Sequence, residues 1–158
     1  MKNDISAIGN ALVDTVFKVE HNLISELGLE IDQMTLSSAE EHAPIIKRLI
    51  ASGAETVSDC GGSATNSLVA AASFGAKCFH TCKVSDDQDG IRYLESLKEA
   101  GVAHKGNMAP ANTIPTGKCL ILVTPDAKRT MTTALNVSSL MDESDLDLDQ
   151  IANSKIFY

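Results

Sequence analysis

The stretch Cys60-Gly61-Gly62-Ser63-Ala64-Thr65-Asn66 places a glycine pair directly before an alanine-rich segment that runs to Phe74 and stops at Gly75. Alanine favours helix and a glycine just past the last residue is a common stop, so 63–74 is predicted to be a helix. Paired glycines let the backbone approach a ligand closely, and a helix start offers unpaired N–H groups. The stretch therefore predicts a ligand-binding turn or, as the alternative, a tight structural turn.

Side chains suited to sugar hydroxyls occur at two places. Asn66 lies one turn into the predicted helix, and its amide both donates and accepts hydrogen bonds. Asn10 and Asp14 follow the first apolar run in Gly9-Asn10-Ala11-Leu12-Val13-Asp14. Ligands of open α/β sheets bind outside the carboxyl ends of the strands, where a carboxylate can accept from two vicinal hydroxyls. The alternative for Asp14 is a loop carboxylate that caps the following turn.

Strands and helices alternate on both sides of this stretch. Ser38 followed by Glu41 is a capping-box pattern, and it predicts a helix that ends at Gly53. The other predicted elements are strands over 4–10 and 77–84, a helix over 89–100, and a hairpin of 118–124 and 129–134. Because parallel neighbours need crossover helices, this order predicts an α/β domain with a mainly parallel sheet.

Four segments lie outside this pattern. Residues 14–19 and 30–36 are too short and too polar for a central sheet, and we expect an exposed flap that pairs with itself. The acidic segment 141–150 predicts a short surface helix with solvated charges. Residues 154–158 are typical of the start of a buried strand, which would leave apolar surface exposed without a covering helix. We therefore expect a fragment or one half of an assembly.

Composition narrows the function classes. The 158 residues carry a formal net charge of −8, which argues against a nucleic-acid partner. No apolar stretch approaches the roughly 20 residues that cross a bilayer, and Met1-Lys2-Asn3-Asp4 lacks a signal-peptide core, so we expect a cytoplasmic protein without a membrane partner. The four cysteines indicate reduced, buried thiols, and the four histidines lack metal-ligand spacing. A nucleotide or another small metabolite is compatible with this composition.

Several linked motifs resemble the pfkB/ribokinase family of small-molecule kinases. The family's first signature region is matched, in order, by Gly9, Asn10, Asp14, the 61–66 stretch, Gly75 and Gly90. Residues 83–90 are similar to its G-x-V-G-x-D-x-x-G motif, with Lys83 in place of the usual glycine, and residues 116–131 resemble its hairpin. The resemblance covers essentially the whole chain, and within the family the bacterial adenosine kinases are the most similar branch.

This resemblance implies a ribokinase-like, Rossmann-type sheet with flanking helices and a small β lid. Residues 1–158 would be the N-terminal part of the kinase domain, with lid segments at about 16–36 and 102–115. The substrate-binding residues implied are Asp14 and Asn66 for ribose hydroxyls, Gly61 and Gly62 for backbone contacts, and Asn10 and Leu12 for the nucleoside pocket. Arg129 matches a position suited to the transferred phosphate, and its alternative is a solvent-facing hairpin arginine.

The activity implied by the resemblance is transfer of the γ-phosphate of ATP, as its Mg²⁺ complex, to the primary hydroxyl of a nucleoside, adenosine in the first place. The family's second signature, D-T-x-G-A-G-D, which supplies the anion hole and the catalytic base, is absent from these 158 residues. We therefore expect no catalytic base and no metal ligand in this chain. The alternatives are a family member acting on fructose, ribose or a keto-sugar, a non-catalytic ligand-binding fragment, and an α/β domain whose glycines only form turns. Pairing of lids into a homodimer is left open.

Overall fold

The computed structural model describes residues 3–110 and 114–158. In this part of the chain the strands are β1 (Asn3–Ile8), β2 (Leu12–Lys18), β3 (Met34–Leu36), β4 (Thr56–Gly61), β5 (Cys78–Ser85), β6 (Ala103–Ala109), β7 (Gly117–Val123), β8 (Arg129–Ala134) and β9 (Ser154–Phe157). The α-helices are α1 (His21–Glu26), α2 (Ala39–Ala51), α3 (Ser63–Ser73), α4 (Gln88–Glu99) and α5 (Leu148–Ala152). Two 3-10 turns span Asn136–Leu140 and Glu143–Asp145.

A four-stranded parallel sheet has the strand order β6-β5-β1-β9. Helix α3 leads into β5 and α4 leads from β5 into β6, so helices make these parallel steps, as the alternating pattern predicts. The core under this sheet includes Ala64 and Leu68 from α3 and Tyr93 and Leu97 from α4. The prediction of an α/β fold with a parallel sheet and flanking helices is confirmed.

The helix signals in the sequence correspond to observed contacts. The Glu41 backbone N–H donates to Ser38 Oγ at 3.2 Å, and the Ser38 N–H donates to Glu41 Oε2 at 2.7 Å, which completes the predicted capping box of α2. Helix α3 begins directly after Gly62 and is followed by Gly75 at a φ of +90°. Asp87 caps α4 by accepting from the Gly90 N–H at 2.8 Å.

A five-stranded mixed sheet has the order β3-β8-β7-β2-β4. The predicted hairpin is present as antiparallel β7 and β8, whereas β2 runs parallel to β7 and antiparallel to β4. One face of this sheet packs against α1 and α2. The buried side chains of that core come from two strands, two helices and the residue after β2: Phe17, Leu120, Leu122, Leu23, Ile24, Leu49 and Val19.

The two flap segments do not pair with each other, so that prediction is wrong. Strand β2 lies between β7 and β4, and β3 pairs with β8 at the other edge of the sheet. Strand β4 is absent from the prediction because its sequence, Thr-Val-Ser-Asp-Cys-Gly, has one large aliphatic residue, Val57, and that side chain is exposed. An edge strand with one open face carries little of the apolar pattern by which strands are recognised.

The segment 102–115, which the resemblance implies as the second lid segment, contains a strand of the parallel sheet. Strand β6 within it pairs in parallel with β5 at the edge of the four-stranded sheet. Its polar side chains hold a neighbouring loop: Lys105 Nζ donates to the Leu146 carbonyl oxygen at 3.1 Å, and Asn107 Nδ2 donates to that of Asp145 at 3.0 Å. Residues 111–113 of the segment lie outside the described residues.

The acidic segment contains one carboxylate that is not solvated. The Asp145 side chain is buried and forms a 2.7 Å ion pair with Lys83 Nζ, which also donates to the Leu140 carbonyl oxygen at 3.1 Å. The expectation of a uniformly solvated charged face is therefore wrong at this position. The similar family motif has glycine at the position of Lys83. The lysine side chain found here connects β5 to the acidic segment.

Strand β9 lies at the edge of the parallel sheet rather than at its centre. It pairs with β1, and its apolar residues Ile156 and Phe157 are 57% and 53% exposed. The expectation of a buried strand is thus corrected, while the expected exposed apolar surface is present.

Two expectations drawn from composition concern the cysteines and membrane spans. The four cysteines are unpaired thiols, and three of them are buried as predicted. No helix in the described ranges is long and apolar enough to span a membrane.

Candidate functional site

The candidate site lies where the chain crosses between the two sheets. The connection after β1, the turn from β4 into α3 and the start of β7 meet there in close backbone contact. A Cβ built on Gly62 would lie 2.5 Å from the Asn10 carbonyl oxygen, and one on Gly117 would lie 2.5 Å from that of Ala11. Real Cβ atoms do not approach so closely, so these crossings require glycine at both positions.

This junction is at the carboxyl end of β1, where the winding of the parallel sheet reverses. Strands β5 and β6 lie on one side of β1, and β9 lies on the other. Open α/β sheets bind ligands in the crevice outside the carboxyl ends of the strands at such a point. Asn10, two residues after β1, is exposed there.

The Gly61–Gly62 turn packs directly against Asp14. Strands β2 and β4 pair with Leu12 opposite Gly61, and a Cβ built on Gly61 would overlap the Asp14 carboxylate. Gly62 has a φ of +105°, a conformation that L side chains rarely adopt. The two glycines therefore serve different needs: Gly61 leaves space for the carboxylate, and Gly62 makes the turn into α3.

The Asp14 carboxylate is half-buried and has no hydrogen-bonding partner among residues 3–110 and 114–158. Burial raises its pKa, Arg129 opposes that rise through its positive charge, and Asp59 adds to it. Partly buried carboxylates are ordinarily hydrogen-bonded. The Asp14 carboxylate therefore has acceptor capacity that no group in the described ranges uses.

The other predicted site residues with side chains lie on α3, β2 and β8. The Asn66 backbone N–H donates to the Gly62 carbonyl oxygen at 2.9 Å, so its position in α3 is tied to the turn, and its side chain is exposed. Leu12 contacts the start of β7 at Gly117. Arg129 is exposed at the start of β8 and is connected to Asp14 only by its charge.

An apolar row crosses the sheet on the face that carries Asp14. Strand pairing aligns five side chains, one from each strand: Met34, Met131, Ile121, Val16 and Val57. The adjacent row contains Asp14 and Cys119, and Thr133 Oγ1 donates to Cys119 Sγ at 3.2 Å. Alternation along β2 places Val16 on the same face as Asp14. A polar carboxylate and an apolar surface are therefore neighbours.

Sequence reasoning missed a buried polar network behind the glycine turn. Thr65 Oγ1 lies 3.2 Å from His80 Nε2 and makes a short hydrogen bond with the Tyr93 hydroxyl. The Tyr93 hydroxyl also lies 3.4 Å from the Gly61 carbonyl oxygen. His80 lies within a buried strand, and Tyr93 lies on the buried side of α4. Buried polar groups need hydrogen-bonding partners, and that need is the one sequence feature that could have indicated the network.

The buried histidine predicts a pH dependence of stability. Burial lowers the pKa of His80 from 6.5 to about 4. Above pH 6.5 both folded and unfolded chains hold this histidine neutral, so its contribution is complete. Between pH 6.5 and about 4 the unfolded chain binds a proton that the folded chain does not, and about 3 kcal/mol of stability is lost as pH falls.

Denaturant unfolding at a series of pH values measures this loss. His80→Gln, which removes the titrating group, should flatten the fall relative to the unchanged protein. Parallel curves for His80→Gln and the unchanged protein would contradict the assignment.

The close contact at Gly61 gives a second prediction. Gly61→Ala places a methyl group on the Asp14 carboxylate, which must then rotate away, so ligand affinity at this site should fall by about tenfold or more. Gly106→Ala is the control, because its added Cβ would also overlap a side chain, that of Leu94, but in the other sheet and away from Asp14. Calorimetric titration of both variants with adenosine, the acceptor that the resemblance implies, measures the difference. Equal affinities would show that this contact does not shape the site.

A separate groove of about 550 Å³ lies at the other end of β2, lined in part by Lys18, Leu23, Arg48 and Thr124. Its lining includes none of the residues that the sequence predicted for the site, such as Asp14 and Asn66. Within the described ranges, no three His, Cys, Asp or Glu side chains converge as a metal site requires. No residue described here is assigned to Mg²⁺.

The two sheets, the covering helices and the crossing point between them define the fold of the ribokinase-like small-molecule kinases. The adenosine kinase from Sinorhizobium meliloti matches all of this chain with a TM-score of 0.90 at 30% identity, and the match covers 47% of that kinase. A probable sugar kinase from Rhizobium etli CFN 42 matches all of this chain with a TM-score of 0.88 at 26% identity, over 47% of its own length.

A third structure, Anopheles gambiae adenosine kinase in complex with P1,P4-di(adenosine-5) tetraphosphate, has the same fold, with a TM-score of 0.84 at 24% identity. It too is matched by the whole of this chain, over 50% of its length. The chain therefore spans about half the length of these structures. The family model described as pfkB family carbohydrate kinase matches residues 30–158. The chain belongs to this family. No curated protein matches it.

Proposed function

We propose that this chain is the acceptor-binding part of an ATP-dependent kinase that phosphorylates the primary hydroxyl of a nucleoside, adenosine in the first place. The observation that carries the proposal is the half-buried Asp14 carboxylate, which lies against Gly61 without a hydrogen-bonding partner in the described residues. Two ribose hydroxyls would donate to its oxygens, and the Asn66 amide would bind the same ribose. Asn10 and Leu12 would line the nucleoside pocket.

The apolar row beside Asp14 favours a nucleoside over a simple sugar. A purine base has a flat apolar face, and burying it against Val16 and Met131 would add affinity that a free sugar cannot gain. The similarity to the adenosine kinase from Sinorhizobium meliloti supports the same choice. The alternative acceptor is a sugar such as fructose or ribose, which the similarity to the probable sugar kinase of Rhizobium etli favours.

Phosphoryl transfer would need residues beyond those assigned here. ATP would enter as its Mg²⁺ complex, and the catalytic base would come from a D-T-x-G-A-G-D segment outside these 158 residues. Arg129 would meet the transferred phosphate, where a guanidinium stabilises charge on phosphoryl oxygens. The five-stranded sheet would act as the lid that excludes water. We further propose a cytoplasmic protein, with lid pairing as the route to any homodimer.

Calorimetric titration with adenosine, ribose and fructose tests the acceptor. Adenosine should bind more tightly than ribose by about tenfold or more, because the base buries apolar surface. Met131→Ser should weaken adenosine binding and leave ribose binding unchanged. Tighter binding of fructose or ribose would replace the nucleoside by a sugar acceptor. Absence of binding by all three would contradict the site itself.

Transfer of labelled phosphate from ATP tests the reaction, using a protein that contains both this chain and a D-T-x-G-A-G-D segment. Labelled AMP is the expected product from adenosine. Binding of adenosine without transfer would favour the non-catalytic binding alternative.

A further inference from the structure

Each residue of the Gly61–Gly62 turn is close to a buried side-chain hydroxyl on the side away from Asp14. The Tyr93 hydroxyl lies 3.4 Å from the Gly61 carbonyl oxygen. Thr65 Oγ1 lies behind Gly62, 3.4 Å from where a Cβ would stand on that glycine. Both side chains are almost completely buried. Water therefore does not compete for these contacts: the Tyr93 hydroxyl faces the Gly61 carbonyl oxygen, and Thr65 packs against Gly62.

His80 is the third member of this network and contacts both hydroxyl groups. Its Nδ1 faces the Ala7 carbonyl oxygen at 3.4 Å and therefore carries the proton, which leaves Nε2 as an acceptor. Nε2 lies 3.2 Å from Thr65 Oγ1 and 3.4 Å from the Tyr93 hydroxyl. A strand and two helices are thus connected at one buried point.

The other side of the same turn faces the candidate site. Gly61 packs on the Asp14 carboxylate, and the Gly62 carbonyl oxygen accepts from the Asn66 N–H at 2.9 Å. A shift of the turn would therefore move both of the side chains proposed to hold the acceptor. Sub-ångström displacement of such groups lowers affinity because hydrogen bonds depend steeply on geometry.

We propose that Thr65 and Tyr93 are positioning residues for the acceptor site, which hold the Gly61–Gly62 turn so that Asp14 and Asn66 meet the same polyhydroxylated ligand. This inference rests on the proposed function. The two residues do not touch the ligand, and they act through the turn.

Adenosine titrations of matched variants test this role. Thr65→Val and Tyr93→Phe should each lower adenosine affinity by about tenfold, whereas Thr65→Ser, which retains the hydroxyl, should keep the original affinity. Thr132→Val is the control for lost stability. Thr132 is also buried and its Oγ1 lies 3.2 Å from a histidine Nε2, that of His42, but it faces α2 rather than the turn. This variant should unfold more easily yet bind adenosine normally.

Two outcomes would overturn the inference. One is folded Thr65→Val and Tyr93→Phe proteins that bind adenosine as the unchanged protein does. The other is an equal loss of affinity in Thr132→Val, which would make the effect one of general stability. If Tyr93→Phe does not fold, the comparison of Thr65→Val with Thr65→Ser decides. Failure of the unchanged protein to bind adenosine would contradict the proposed function instead.

Discussion

Asp14→Asn should lower adenosine affinity by about 100-fold. The change keeps the size of the side chain but removes the charge and one of two acceptor oxygens, and hydrogen bonds to a charged group contribute about 1.5–3 kcal/mol each. No described protein group donates to this carboxylate, so the substitution would weaken hydrogen bonds from the ligand rather than bonds within the protein. Calorimetric titration at constant pH measures it.

Asp59→Asn is the matched control for Asp14→Asn. Asp59 pairs with Asp14 across β2 and β4, so the control substitution removes the same charge from the same part of the sheet, but Asp59 is exposed. The affinity of this variant should stay close to that of the unchanged protein. Equal losses in the two variants would indicate a general effect of negative charge and would contradict direct recognition by Asp14.

Lys83→Met should lower the free energy of unfolding by about 3 kcal/mol. The substitution leaves the Asp145 carboxylate buried without its cation, and breaking a buried ion pair on one side is strongly destabilising. It also removes the donor to the Leu140 carbonyl oxygen. Denaturant unfolding of the variant measures the loss.

Lys18→Met provides the comparison for Lys83→Met. Lys18 and Glu55 form an ion pair with the same 2.7 Å separation, but their side chains are 75% and 78% exposed. Solvent-exposed ion pairs contribute little to stability, so this variant should be nearly neutral. Similar losses for the two lysines would contradict the view that burial makes the Lys83 pair important.

The sequence predicted elements wherever local signals agree with the final packing. The capping box before α2, the glycine stop after α3 and the turn between β7 and β8 act over a few residues, and all three are present. Edge strands β4 and β6 were not predicted in their places because pairing on one side requires little apolar patterning. Their positions depend on distant partners.

The candidate site was predictable only in part for the same reason. Glycine pairs and a carboxylate after a strand are local features, and the resemblance to a family connected them. The contact between Asp14 and Gly61 depends on the register of β2 against β4, which involves an unpredicted strand. The Thr65–His80–Tyr93 network joins side chains from three elements, and no spacing in the sequence indicates that they meet.

A crystal structure of the protein with bound adenosine tests the central claim most directly. The account predicts two ribose hydroxyls within about 3 Å of the Asp14 carboxylate oxygens, with the Asn66 side chain on the same ribose. Adenosine bound elsewhere, for example in the groove beside Lys18 and Thr124, with Asp14 still unpartnered, would contradict it.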